Sequence, residues 1–425
     1  MPRGGVGVAL MLLCAGCTGV ERVATVATGN AHANANAASE GGEARAANRW
    51  VTATRSPWPV ANEEARDPRE IALAAVCGTE DAALTRVARE VAAERARGLG
   101  TSNLDAIVAR LRVAGEPHVR PRVFIATGRA PIDDTKLRPD LARRGAGSSA
   151  AEMSWGGRAR CGIAIEATPQ GFEVLVALRI DALADLAPLA TRARTGEWLV
   201  FEAHLYLHAR AASVIVLGPR GAPRTVPTTL DPATGIARAR FVLDQPGAFT
   251  VQLVADVAEG PRPVLEARVF ADVAPSAPAE EPAAPGEDAG GTGDDAGALG
   301  RMVAALRAFE GAPPLARDER LDALARAHAE QMRDGGAVAH DLGDGDFKAR
   351  FEAEGTLDAR AVGENVAHAG TLALAHRALH ASPSHRINLL RADYTHIGLG
   401  VARAADGGVY VCETFAAARP SRGVR

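Results

Sequence analysis

Residues 274–297 (APSAPAEEPAAPGEDAGGTGDDAG) carry no large apolar side chain. A run of alanine, proline, glycine and acidic residues buries too little apolar surface to offset the entropy of ordering it, so its composition predicts a flexible linker. Such a linker divides the 425-residue chain into units that must each assemble a separate core. Hydrophobic residues at 47% and charged residues at 23% are typical of globular domains and exclude a wholly disordered chain. A net charge of -3 lacks the basic footprint of polyanion binding, so no nucleic-acid partner is expected. With aromatics at 4%, the cores must be built mainly from Ala, Val and Leu.

Upstream of the linker the hydrophobic period changes. From Trp198 it is two: Phe201, Ala203, Leu205 and Leu207 alternate with Glu202, His204, Tyr206 and His208. Further short apolar runs are separated by Pro/Gly turns. This predicts a β-sandwich over 193–273, immunoglobulin-like in architecture although the Cys…Trp…Cys signature is missing. Residues 66–192 instead mix helical spacing (Leu84, Val87 and Val91; Leu104, Ile107, Val108 and Leu111) with a hairpin at 162–178, predicting a small α+β domain. Asp67 before Pro68, and Asp81, are expected helix starts.

The first residues read as a targeting segment. Arg3 precedes an apolar run at 5–13, too short to span a bilayer. Ala15 and Gly16 lead to Cys17, which resembles the lipobox of bacterial lipoproteins, with Cys14 where an aliphatic residue is usual. The resemblance implies a signal peptide over 1–17, acylation of Cys17, and a tether over 18–65. The expected location is the cell envelope, at the outer membrane or cell surface, with the membrane as partner through the anchor. A cut further on, near Ala27, would give a freely secreted protein. In an oxidising compartment Cys77 and Cys161, within one predicted domain, are the expected disulfide; Cys412 reads as a buried thiol.

Seven of the eleven histidines lie between 328 and 396. His328 falls on the apolar face of a helix capped by Asp318 and reads as core, His368 as solvated, His396 as structural. His376 and His380, four apart on a helix, share a face, but a metal pair there lacks a nearby third ligand. Helical patterning resumes near Leu299, and helices flank a terminal hairpin in which Ile397, Leu399 and Val401 alternate. The class is α+β, layered α-β-α.

Over 298–416 an ordered set of motifs appears: His328, Ala329 and Met332; His340; Gly363, Glu364, Asn365, Val366 and Ala367; Ser382, Pro383, Ser384, His385 and Arg386 with Asn388, Leu389 and Leu390; then Ile397, Gly398, Leu399, Gly400 and Val401. These resemble the CAP superfamily of cysteine-rich secretory, antigen-5 and pathogenesis-related proteins, in particular its bacterial SCP-like extracellular members. The resemblance implies an α-β-α sandwich with a surface cleft where two histidines and one or two glutamates converge and can hold a divalent metal. His340 matches the first histidine, Glu364 the glutamate and His385 the second histidine. Two imidazoles and a carboxylate suit zinc or another divalent ion, with a position left for water or ligand. Three departures stand out: Leu379 replaces the usual tryptophan, Ser384 replaces a glycine, and no second glutamate matches, Glu413 being a polar group near the sheet end.

By its order of helix, Gly115, His118 and hairpin, the segment 66–192 is either a degenerate CAP-like domain or an unrelated α+β domain. The expected function is binding of a lipid, sterol or other envelope component in the C-terminal cleft. A metal-dependent hydrolase or peptidase using His340, Glu364 and His385 as catalytic groups is the first alternative. Adhesion through the β-sandwich is the second. Ser382 and Ser384 lie too close in sequence to His385 to give nucleophile geometry. Arg386 and Asn388 read as loop-to-helix fasteners, and 417–425 as a tail.

Overall fold

The computed structural model describes residues 67–99, 104–113, 115–119, 121–142, 158–258, 260–274, 282–355 and 357–419. The targeting segment, Cys17 and the tether lie outside the described residues. Among these residues no helix is long and apolar enough to cross a membrane. Among the described residues the fold is mixed α+β with four sheets.

Asp67 caps α1 (Pro68–Cys77), whose first turn accepts Pro68 because no intrahelical N–H bond is lost there. Then come β1 (Thr79–Glu80), α2 (Ala82–Ala96), α3 (Leu104–Val113), β2 (Arg122–Arg129), α4 (Arg138–Ala142), β3 (Arg158–Ala167) and β4 (Phe172–Ala182). The sheet runs β1-β3-β4-β2, with β1 parallel to β3. Leu84, Val87 and Val91 of α2 pack on one face. Leu73 of α1 and Leu141 of α4 pack on the other. A disulfide between Cys77 and Cys161, Cα atoms 5.8 Å apart, fastens α1 to β3.

The β-sandwich follows, with β5 (Ala184–Leu186), β6 (Arg192–Ala193), β7 (Trp198–Leu205), β8 (Ala211–Leu217), β9 (Arg224–Val226), β10 (Thr228–Asp231), β11 (Ile236–Val242), β12 (Gly247–Val257) and β13 (Gly260–Ala271). One sheet is β10-β11-β7-β5 and the other β6-β13-β12-β8-β9. Phe201, Phe241, Phe249, Val251 and Leu265 interleave between them. The sandwich begins before the expected boundary at 193, since Ala184, Leu186 and Leu189 already belong to its core. Three residues of strand are too few to register as a period in sequence.

Residues 282–297 of the segment expected to be a flexible linker are held in place. Ala284 is buried, Glu287 pairs with Arg377 at 2.6 Å, and His376 Nε2 meets the Pro285 carbonyl at 3.0 Å. Asp294 caps α5 (Asp295–Phe309), which starts before the expected position near Leu299. Composition missed this because charge pairs and backbone groups, rather than large apolar side chains, hold the segment down.

The last domain adds β14 (Ala316–Arg317), α6 (Glu319–Gly335), α7 (Phe347–Glu354), β15 (Ala359–Ala369), α8 (Leu372–Ala381), α9 (Pro383–Leu390), β16 (His396–Arg403) and β17 (Val409–Ala418). Its sheet runs β14-β16-β17-β15. Leu299 and Leu306 of α5 and Leu379 of α8 cover one face. Ala325, Ala329 and Met332 of α6, with Phe347 and Phe351 of α7, cover the other, completing the α-β-α layering.

This sheet and the first share strand order and register. In each, a two-residue parallel strand leads to an aspartate N-cap, Asp81 or Asp318, whose N–H bonds the carbonyl of Cys161 or Ile397. The next residue of the partner strand is glycine in both, Gly162 and Gly398. A methyl group there would collide with the backbone of Leu84 or Leu321, the third residue after the cap. Close helix-on-sheet approach is therefore what these glycines provide. Gly400 does the same beneath Ala325. Gly400→Ala is expected to destabilise the chain by about 1–3 kcal/mol through overpacking. Gly335→Ala, where a Cβ meets nothing within 4 Å, is the control. Denaturant unfolding that moves both variants equally would refute this account.

Candidate functional site

Glu364 lies on β15 between Gly363 and the buried Asn365. Gly363 has no Cβ because the Tyr394 hydroxyl and Asn388 fill that space. One step on, Asn365 is fully buried and saturated. Its Nδ2 donates to the His385 carbonyl at 3.1 Å and to Glu413 Oε2 at 3.0 Å, and its Oδ1 accepts from Asn388 Nδ2 at 3.0 Å. The GEN and SPSHR-NLL motifs are thus two sides of one hydrogen-bonded joint, with Asn388 as the fastener expected from sequence.

The Glu364 side chain is 2% exposed and engaged on both oxygens. His340 Nδ1 lies 2.9 Å from Oε1, so the ring donates its Nδ1–H to the carboxylate. Arg350 Nη2 donates to Oε2 at 2.5 Å, and the Cys412 thiol donates to the same oxygen at 3.4 Å. Burial alone would push the carboxyl pKa up. The His340 bond and the electrostatic contributions of His328, His340 and the Arg350 guanidinium outweigh it and hold Glu364 below the usual carboxylate range. Cys412 is pushed well up by burial and by the Glu364 charge, so it is an inert thiol.

His340 itself sits on the loop between α6 and α7. Arg350 Nη1 donates to its carbonyl at 2.6 Å and to the Gly345 carbonyl at 2.7 Å. His328, buried as expected, meets the Ala339 carbonyl through Nε2 at 2.8 Å. The His340 side chain is 21% exposed, and its Nε2 makes no hydrogen bond to the described residues. A neutral imidazole whose Nδ1–H is fixed by a carboxylate presents a basic Nε2 lone pair, suited to a hydroxyl donor or a metal ion.

His385 is on α9, buried, with its carbonyl tied to Asn365. The described contacts therefore join His340 to Glu364 directly and bring His385 against the adjacent Asn365. Among the described residues no three His, Cys, Asp or Glu side chains are grouped so as to hold a metal ion. Glu364, engaged by protein donors on both oxygens, stands as an orienting partner of His340. The Ser382 and Ser384 hydroxyls lie 3.3 Å from each other.

His376, His380 and His368 are packed into the fold. His376 bonds the Pro285 carbonyl. Burial, reinforced by the Arg386 charge, lowers His380 to about 3. His380 lies 3.8 Å from Glu310, and among the described residues this pair has no third ligand grouped with it to hold a metal ion. His368 corrects the expectation of a solvated ring: it is 3% exposed and stacks on Tyr410 at 4.2 Å. Arg386, as expected, fastens α9 by pairing with Glu310 at 2.6 Å.

Sequence reasoning missed Arg350. Its one local signal is position, three residues after Phe347 and one before Phe351, on a helix whose two phenylalanines are buried. Glu413, noted only as polar, is fully buried on β17. Burial pushes its carboxyl up to about 7 against the opposing Asn365 bond.

Residues 301–414 form a CAP domain, matching the family described as the cysteine-rich secretory protein family. No curated protein matches the chain. Solved structures similar to it include an outer surface protein from Borrelia burgdorferi, at 22% identity over 29% of this chain and 93% of that one, TM-score 0.28. An extracellular protein containing a SCP domain from Bacillus anthracis is 15% identical over 55% of this chain and 85% of its own, TM-score 0.26. Schistosoma mansoni venom allergen-like protein 4 is 13% identical over 30% and 92%, TM-score 0.22.

Proposed function

We propose that this is an exported, lipid-anchored envelope protein whose CAP domain binds a ligand at His340, with Glu364 fixing the ring and His385 lining the same cleft. The observation that carries the reading is the His340–Glu364 pair: a buried, ionised carboxylate 2.9 Å from Nδ1 of a partly exposed imidazole. Such a pair selects one tautomer and raises the basicity of the other nitrogen. The ligand class that fits is a lipid, sterol or other envelope component offering a hydroxyl to Nε2. A divalent ion such as zinc would take the same lone pair, with His385 as a further ligand and Glu364 as outer partner. Export is supported by the apolar run at 5–13 that precedes Cys17, and by the Cys77–Cys161 bridge, which suits an oxidising compartment.

The test is a titration of the purified chain with zinc, and separately with vesicles carrying a hydroxyl-bearing sterol. His340→Ala is expected to abolish binding of whichever probe is taken up. Glu364→Gln is expected to weaken it about 10–100-fold by releasing the ring. Uptake unchanged in His340→Ala for both probes would end this reading. Unchanged zinc uptake in His385→Ala would remove that residue from the metal set.

A further inference from the structure

The β-sandwich rests against both of the elements that carry the histidines of the proposed site. The first contact is at α9. Ser382, its N-cap, makes no side-chain capping bond. The exposed-donor problem at that helix start is solved from another domain: Gln252 Oε1 on β12 accepts from the Ser384 N–H at 3.1 Å. Strands β8 and β12 both pack on α9. Gln252 is 2% exposed, and its Nε2 donates to Glu266 Oε2 on β13 at 3.2 Å. Glu266 in turn faces the buried Arg112 of α3 at 3.6 Å. A line of buried polar groups thus leads from the His385 helix through the sandwich into the first domain.

The second contact is at His340. Gly260, the first residue of β13, is buried with φ +104°. A Cβ built there would lie 3.6 Å from the His340 Cβ and 3.9 Å from the Asp346 Cβ. The start of β13 therefore lies on the His340 loop, while β12 caps the His385 helix. These two contacts are independent of each other, lie on opposite histidines, and come from one pair of strands.

We propose that the β12–β13 pair is a built-in partial cover of the CAP cleft, and that a ligand gains full access to His340 Nε2 when the sandwich moves off. The seam suits reversible opening. The contact at α9 is an amide-to-backbone hydrogen bond, and water replaces both halves of such a bond when it parts, whereas an apolar seam would have to expose oily surface. Gln252 is a positioning residue: it acts through the α9 backbone and touches no ligand. The assignment of the cleft as a binding site belongs to the proposed function, but the cover is measured without any ligand.

The test uses the full chain with Gly260→Cys and Asp346→Cys. Their Cβ separation falls in the range a disulfide spans. The probe is diethyl pyrocarbonate, with modification of His340 Nε2 followed by peptide mass spectrometry and the exposed His208 as internal standard. Oxidation is expected to close the cross-link and slow His340 modification at least tenfold relative to His208. Reduction is expected to return it to within twofold of the Asp346→Cys single variant. Failure of the cross-link to form in folded protein, or equal rates in the two forms, would overturn the proposal. Because a side chain at φ +104° strains the strand, Gln252→Ala is measured in parallel. It is expected to speed His340 modification severalfold, and an unchanged rate would also overturn the cover. A chain that shows these rates yet takes up neither zinc nor sterol would sink the binding reading and leave the cover intact.

Discussion

Arg350→Ala is expected to cost the CAP domain about 3–5 kcal/mol of stability, the penalty for leaving a buried charge without its partner. Arg350 is 9% exposed and Glu364 2% exposed, so water compensates neither when the other is removed. Arg350 also holds the His340 and Gly345 carbonyls, so the same substitution loosens the loop that presents the imidazole. The double variant Arg350→Ala with Glu364→Gln should recover part of the loss, because a neutral amide in that position leaves no charge stranded. Denaturant unfolding of the four proteins in this cycle measures the coupling. A single-variant cost below about 1 kcal/mol, or additive losses in the double variant, would show that the pair contributes little.

Glu413→Gln should stabilise the protein at pH 8 by about 3 kcal/mol and change nothing at pH 4. The folded-state pKa of about 7 lies above the usual carboxyl value of 4.5. Between these values the folded protein keeps a proton that the unfolded chain releases. Stability therefore falls as pH rises through that window and levels off above about 7. A shift of this size corresponds to about 3 kcal/mol. Glutamine keeps the oxygen that accepts from Asn365 and has no charge to bury. Parallel pH profiles for wild type and variant between pH 4 and 8 would refute the assignment.

Sequence and structure agree where the signal is local. The aspartates at 67, 81 and 318 cap helices through their own side chains, a contact spanning two or three residues. Glu364 and His340 were legible through motif order, and the fold brings them to 2.9 Å. What escaped depends on distance along the chain. Gln252 reaches Ser384 across 132 positions, with no spacing to betray it. His368 was misread because residues 364–369 of β15 are all buried, so alternation along the strand carries no information about exposure there. The acidic segment was misread because its order comes from Arg377 and His376, both on α8.

The matching frames of the first and last domains bear on how the chain assembles. In the column that holds Glu364 and Thr414 opposite Gly398, the first domain has Val123 and Leu178 opposite Gly162. Its version is dry, yet its edge accepts a two-residue strand in the register used by the other sheet. Interchangeable edges on one polypeptide invite mispairing between halves. The bond from Cys77 to Cys161 holds the first strand to its own hairpin, because Glu80 pairs with Cys161 and the bond anchors the chain three residues earlier.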